Sequence, residues 1–229
     1  MKNSRLVVIG HRGAMGLAPE NTLKSIQKAL EHHVDMIEID VFVARDGSIL
    51  LNHDAHYTNS KGKKIRIHDS TYDDMKRHHA DVTSLQEAIE FIDRTVPLII
   101  ELKPGVDADQ VCHVVKQYYD RGWTEKDLRF CSYSPSILRR IRQHFPESII
   151  ILNHDWSSIR ATWLAHRLGT KHIAMYNIWL WPPVIRGISR RGYVLYAYTV
   201  NKPTVAKRWH KAGLAGIYTD YPDLFERQS

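Results

Sequence analysis

Glu38 and Asp40 sit two residues apart in Met36-Ile37-Glu38-Ile39-Asp40-Val41, a run otherwise apolar. Read as a strand, it turns both carboxylates to one side and Ile37, Ile39 and Val41 to the other. Burying two acids together costs desolvation and mutual repulsion. A cation between them, or proton chemistry, would offset that cost. A strand end open to water is the plain alternative. The spacing recurs in Glu101-Leu102-Lys103, again an ionisable pair on one face after an apolar run. His11 and Arg12 follow the apolar run Leu6 to Ile9, and His53 follows the extended run Ser48 to Asn52.

Brought together, Glu38, Asp40 and Glu101 would carry three negative charges. A hard divalent cation with oxygen ligands, Mg2+ or Ca2+, resolves that repulsion. Arg12 and Lys103 beside it would suit a phosphate whose oxygens gain charge in the transition state. His11 and His53 would move protons near neutral pH. Taken singly among 14 histidines, each reads as a surface or capping residue. Two of them at strand ends beside a carboxylate cluster read as an acid–base pair. Cys112 and Cys131 are the only cysteines and form no Cys-x-x-Cys, which argues against structural zinc and a disulfide framework.

The elements that must position these groups alternate. Arg5–Ile9 reads as a strand, and Pro19-Glu20-Asn21-Thr22 opens a helix whose apolar positions are Leu23, Ile26, Ala29 and Leu30. The strand Met36–Val43 and the run Ser48–Asn52 follow, separated by the turn signal Asp46-Gly47. Residues 55–82 are polar and read as an insertion with little core of its own, placed to overhang the site. A helix over Thr83–Asp93 comes next, capped by Thr83 or Ser84. Strands then read at Leu98–Lys103, Leu128–Tyr133, Ser148–Leu152, His172–Tyr176, Tyr193–Val200 and Gly216–Thr219. Helices fall between them, at Asp107–Arg121, Pro135–Phe145, Ser157–Leu168, Val184–Arg191 and Pro203–Ala212, and a short one begins at Pro222. About eight strand–helix units in 229 residues predict an α/β fold, a single-domain (β/α)8 TIM barrel over 1–229 with a small insertion after the second strand. A doubly wound open sheet is the alternative. In a barrel the strands' C-terminal ends carry the site, which is where the ionisable residues fall.

A net charge of +7 favours anionic partners without choosing among them. Lys2 and Arg5 precede an apolar run too short for a signal peptide or a membrane span, so a cytoplasmic setting is expected. Gly10, Gly13 and Gly16 do not have dinucleotide-loop spacing, and no Gly-Lys-Ser or Gly-Lys-Thr is present. No basic groove interleaved with aromatics points to nucleic acid.

Gly10-His11-Arg12-Gly13, Pro19-Glu20-Asn21-Thr22, Glu38-Ile39-Asp40-Val41, Asp46-Gly47 with His53-Asp54, and Glu101-Leu102-Lys103 together resemble the glycerophosphodiester phosphodiesterase family in order and spacing. Tyr198-Thr199-Val200-Asn201 and Thr219-Asp220-Tyr221-Pro222-Asp223 resemble its closing segments, so the resemblance runs from Val8 to Asp223. It implies a TIM barrel and metal-dependent hydrolysis of glycerophosphodiesters to sn-glycerol 3-phosphate and an alcohol. It implies Glu38, Asp40 and Glu101 as metal ligands, His11 and His53 as the acid–base pair, and Arg12 and Lys103 as phosphate contacts. It also implies a cyclic phosphate intermediate. Glu20 would support the loop around His11 and Arg12. Two departures bear on substrate choice: Tyr198 stands where the family commonly has Trp, and the insertion matches loosely. Trp181, on the loop with Trp179 and two prolines, could line an apolar lip for a lipid tail. Tyr198 and Trp181 are therefore the candidate substrate contacts. Alternatives are lysophospholipase D-like or sphingomyelinase D-like cleavage, or a non-catalytic barrel that binds anions or nucleic acid. The expected partner is a small glycerophosphodiester, with no nucleic acid and no stable membrane insertion; a homo-oligomer stays open.

Overall fold

The computed structural model describes residues 5–59 and 62–225; Lys2, and Ser60 and Lys61 within the insertion, lie outside them. The first strand is β1 (Val7–Gly10), followed by helix α1 (Leu23–Glu31) and β2 (Met36–Val43). Thr22 caps α1 reciprocally with Ser25, which satisfies the first-turn amides. Strand β3 (Ile49–Leu51) turns back antiparallel on β2 after the Asp46-Gly47 turn. The excursion then runs through a hairpin, β4 (His56–Thr58) and β5 (Lys64–Arg66), to α2 (Tyr72–His78). It has more core than its polar sequence promised. Tyr57, Ile67 and Met75 are buried together with Ala44 and Leu50. Spread across 19 residues of polar chain, those three apolar side chains show no periodicity.

Helix α3 (Leu85–Ile92) returns the chain to the barrel, capped by Ser84 with Glu87. From there strand and helix alternate: β6 (Leu98–Leu102), α4 (Ala108–Tyr119), β7 (Leu128–Ser132), α5 (Pro135–His144), β8 (Ile150–His154) and α6 (Ser158–Arg167). They continue with β9 (His172–Tyr176), α7 (Pro182–Arg190), β10 (Val194–Tyr198), α8 (Pro203–Lys211) and β11 (Gly216–Thr219). The strands β1, β2 and β6–β11 form a closed parallel sheet: β1 pairs with β11 on one side and with β2 on the other. The fold is a TIM barrel, and the open-sheet alternative is excluded by that closure. Among the described residues, no helix is long and apolar enough to cross a membrane.

Alternation along the strands makes two cores. Ile37, Ile39 and Val41 face the helices, with Leu98, Ile100 and Leu102 beside them. Ile9, Ile99, Cys131, Ile151, Ala174, Tyr196 and Tyr218 fill the barrel interior. Low in that interior, His172 stacks on Tyr196 with ring centroids 6.1 Å apart. Burial, then the Arg129 charge, holds its imidazole down at about 4. Unfolded, it titrates near 6.5. Above that pH both states carry it neutral. As pH falls below it, the unfolded chain gains a proton that the folded chain refuses. Stability is therefore expected to fall by up to about 1.4 kcal/mol per pH unit between roughly 6.5 and 4. Urea unfolding of His172→Gln across that range should show the slope reduced, and an unchanged slope would remove His172 as its source.

Candidate active site

The loop after β1, the strand β2 and the end of β6 bring six of the sequence-chosen residues together, His11, Arg12, Glu38, Asp40, Glu101 and Lys103. Asp40 and Glu101 lie in direct register on adjacent strands. Glu38 and Asp40 are each 1% exposed and Glu101 8%. Each offers a carboxylate oxygen, and these oxygens lie within 4.8 Å of one another. Lys103 reaches back between them, its Nζ 2.5 Å from Asp40 and 2.6 Å from Glu101. Burial alone would lower the Lys103 ammonium, but Glu101 and Asp40 outweigh it and hold it above the ordinary lysine value.

Glu38 is the least compensated. Its Oε2 accepts the Arg12 backbone N–H at 2.9 Å, while its Oε1 is buried with no hydrogen-bond partner. Burial, then the charges of Asp40 and Glu101, push its carboxyl well above the usual carboxylate range. Burial and Asp40 likewise raise Glu101. A buried all-oxygen donor set with an orphaned oxygen is what a hard cation would satisfy, so the triad could hold a metal ion.

The loop that supplies Arg12 is shaped for this. Arg12 and Asn21 both take left-handed backbone, φ 50° and 56°. Such a conformation costs a non-glycine residue of order 1 kcal/mol and tends to persist where surroundings over-determine it. Here they do. The Arg12 guanidinium binds Glu20 at 2.7 Å and lies 3.4 Å from Asp40. Asn21 donates to Asp40 Oδ2 at 2.9 Å and accepts the Asp40 backbone N–H at 3.0 Å. Gly13 takes φ +81° with no room for a Cβ against Ser25.

His11 hydrogen-bonds Asp220 Oδ1 through Nδ1 at 2.7 Å, and Asn201 donates to the other Asp220 oxygen at 2.8 Å. With Nδ1–H given to Asp220, Nε2 is left for a substrate. These bonds, with His11, hold the Asp220 carboxyl low despite its burial. His53 bonds Asp54 at 2.9 Å. Burial, then Lys103 and Arg12, lower its imidazole, so it is neutral near pH 7.

One cavity of about 560 Å³ is lined by His11, Arg12, Glu38, Asp40, His53, Glu101, Lys103 and Tyr198. Trp181 is not among its lining residues; Trp179 from the same loop is. Among the described residues of 55–82, none lines it either, against the expectation that this segment overhangs the site.

A sequence profile of the glycerophosphoryl diester phosphodiesterase family matches residues 11–224, the span that contains every one of these groups. The chain belongs to that family. It is accordingly an enzyme, a phosphoric diester hydrolase, and the non-catalytic reading falls away. A glycerophosphodiester phosphodiesterase of Caldanaerobacter subterraneus is 25% identical, with 96% of each chain covered. A lysophospholipase D (GDPD1) of Rattus norvegicus is 22% identical over 93% of this chain and 83% of its own. The fold matches an Oleispira antarctica phosphodiesterase solved with its product sn-glycerol-3-phosphate, with TM-score 0.83, 24% identity and 94% and 93% coverage. It also matches the Thermotoga maritima glycerophosphodiester phosphodiesterase, with TM-score 0.80, 22% identity and 97% coverage of each.

Several groups of this phosphodiesterase site carry no signal of their own in the sequence. Asp220 and Asn21 both lie inside quoted motifs, but one reads as a strand terminus and the other as a helix opener. Asn153 donates to Glu101 Oε2 at 3.0 Å. The apolar run ends at Leu152, one residue before it, whereas β8 extends to His154. Asp220→Asn is expected to lower kcat about 10²-fold with KM little changed, through the wrong tautomer and orientation of His11. Steady-state kinetics beside a circular dichroism spectrum check this; a KM effect alone would contradict it.

Proposed function

We propose that the enzyme hydrolyses glycerophosphodiesters to sn-glycerol 3-phosphate and an alcohol, using Mg2+ or Ca2+ held by Glu38, Asp40 and Glu101. The observation that carries this is a buried carboxylate triad in one cavity with two histidines and two cationic side chains. A bound divalent cation would polarise the phosphoryl oxygens and neutralise charge that develops on them. Arg12 and Lys103 hold the remaining phosphate oxygens and orient the phosphorus. The glycerol 2-hydroxyl oxygen attacks phosphorus, and its proton passes to one imidazole. The bond from phosphorus to the alcohol oxygen breaks, and the second imidazole protonates that oxygen. This leaves a cyclic phosphate. Water then attacks phosphorus and gives its proton to the second imidazole, while the first returns its proton to the glycerol oxygen as the ring opens. His11 and His53 so exchange roles over one turnover.

The product named in the Oleispira antarctica complex supports the glycerol phosphate end of this reading. Lysophospholipase D-like cleavage is a second reading, supported by exposed Trp156, Ile178, Trp179 and Trp181 on the loops after β8 and β9. The test is release of glycerol 3-phosphate from glycerophosphocholine. Chelation should lower the rate at least about 10²-fold, since several kcal/mol of charge stabilisation is lost, and Mg2+ or Ca2+ should restore it. Chelator-resistant release would sink the metal assignment. Release only from a lysophospholipid, lost in Trp181→Ala, would favour the second reading.

A further inference from the structure

The barrel sorts its mouth into two unlike halves. The charged groups stand on β2, at the end of β6 and on the loops after β1 and β3. The ends of β7–β10 contribute Tyr133, Asp155, Trp156, Tyr176, Trp179 and Tyr198 to the same cavity. On the hydrolase reading above, an alcohol leaving the phosphorus would lie over this second half. We propose that this half is a cage for a cationic alcohol, and that its preferred occupant is the quaternary ammonium of choline.

The rings supply walls in more than one plane. Tyr133 and Tyr198 stand 6.3 Å apart at 82°, and Tyr176 and Tyr198 stand 6.1 Å apart at 34°. Aromatic faces are electron-rich, and a cation within about 6 Å of several is held from several sides. Asp155 is the one carboxylate that this half contributes among the described residues, and Tyr198 Oη donates to it at 2.8 Å. Burial, with Tyr133 and Asp155 beside it, keeps the Tyr198 hydroxyl protonated and so a donor. Arg160 already covers Trp156, 5.6 Å from its ring centroid. The three tyrosines and Trp179 therefore carry the cage.

The choice of a quaternary ammonium follows from its chemistry. It has no N–H to donate, so water holds it less firmly than a primary ammonium, and diffuse π faces serve it well. A neutral polyol carries no charge for the π faces and Asp155 to hold. An anionic headgroup would meet Asp155.

The test uses the intact protein and needs no turnover for its first arm. Choline alone is titrated against the tryptophan fluorescence, beside its neutral isostere 3,3-dimethyl-1-butanol. Choline is expected to saturate at a concentration at least about tenfold lower than the isostere. Asp155→Asn and Tyr176→Ala should each weaken choline binding about 3–30-fold, while Tyr176→Phe, which keeps the ring, should not. In the second arm, kcat/KM for glycerophosphocholine should exceed that for glycerophosphoglycerol about tenfold, and Tyr176→Ala should bring the ratio toward one. Equal binding of choline and isostere, or equal turnover of the two diesters, overturns the cage while leaving the hydrolase standing. Choline binding with neither diester cleaved overturns the hydrolase reading and leaves the cage.

Discussion

Glu38→Gln is expected to abolish metal-dependent turnover and, at the same time, to stabilise the metal-free protein. The two effects have one cause. Glu38 is 1% exposed and one of its oxygens has no partner, so its charge is carried at a loss unless a cation answers it. A neutral amide keeps the acceptor for the Arg12 N–H and removes the repulsion with Asp40 and Glu101. We expect a gain of order 2 kcal/mol without metal, or roughly 4–8 °C in Tm for a chain of this size. Mg2+ or Ca2+ should raise the Tm of the wild type, since a ligand bound only by the folded state stabilises it, and should raise the variant far less. The rate of glycerol 3-phosphate release should fall at least about 10³-fold. Thermal unfolding in chelator and in metal, beside the rate, reads all three. A variant that keeps the full metal-driven rise in Tm would exclude Glu38 as a ligand.

Lys103→Met should have the opposite sign. Lys103 is the cation nearest the triad, within 2.6 Å of both Asp40 and Glu101. Removing it leaves buried carboxylates facing each other with their main compensation gone. Breaking a buried pair in this way costs about 3–5 kcal/mol, so Tm should fall by roughly 6–20 °C in chelator. Added metal should recover more stability here than in the wild type, because a divalent ion then answers charge that Arg12, 3.4 Å from Asp40, meets only in part. Turnover should drop about 10²-fold or more even with metal, through the lost phosphate contact. Glu101→Gln placed on Lys103→Met should recover part of the stability, a coupling that a double-mutant cycle measures. A loss below about 1 kcal/mol in chelator would mean that water, not Lys103, screens the triad.

Much of this site is legible in the sequence because the barrel rule converts order into place. Once strands are read at Met36–Val43 and Leu98–Lys103, the period of two puts Glu38, Asp40 and Glu101 on the inner face, and the structure sets them there. What stayed hidden depends on pairing between distant strands, which periodicity does not encode. Asp220 earns its role through its bond to His11, 209 residues away. Asn153 and Asp155 were hidden by a register that the apolar run Ile149–Leu152 marks two residues short. Trp181 illustrates the converse. Its residue type suited a substrate lip, but Trp181 precedes α7 as its cap residue and lies outside the cavity that Trp179 lines.

The closure of β1 on β11 has a consequence for how the protein is made. The backbone of His11 donates to the carbonyl of Thr219 at 3.0 Å, and its side chain rests on the next residue. During synthesis His11 emerges 209 residues before the carboxylate that holds it. Until β11 arrives, β1 and β10 each present an unpaired parallel edge, the kind of surface on which nascent chains associate. Contacts this remote in sequence also form slowly. A polypeptide stalled before Gly216 would hold its acidic triad yet lack the carboxylate that fixes His11, so on the reading proposed above its acid–base pair is complete only once β11 closes the barrel.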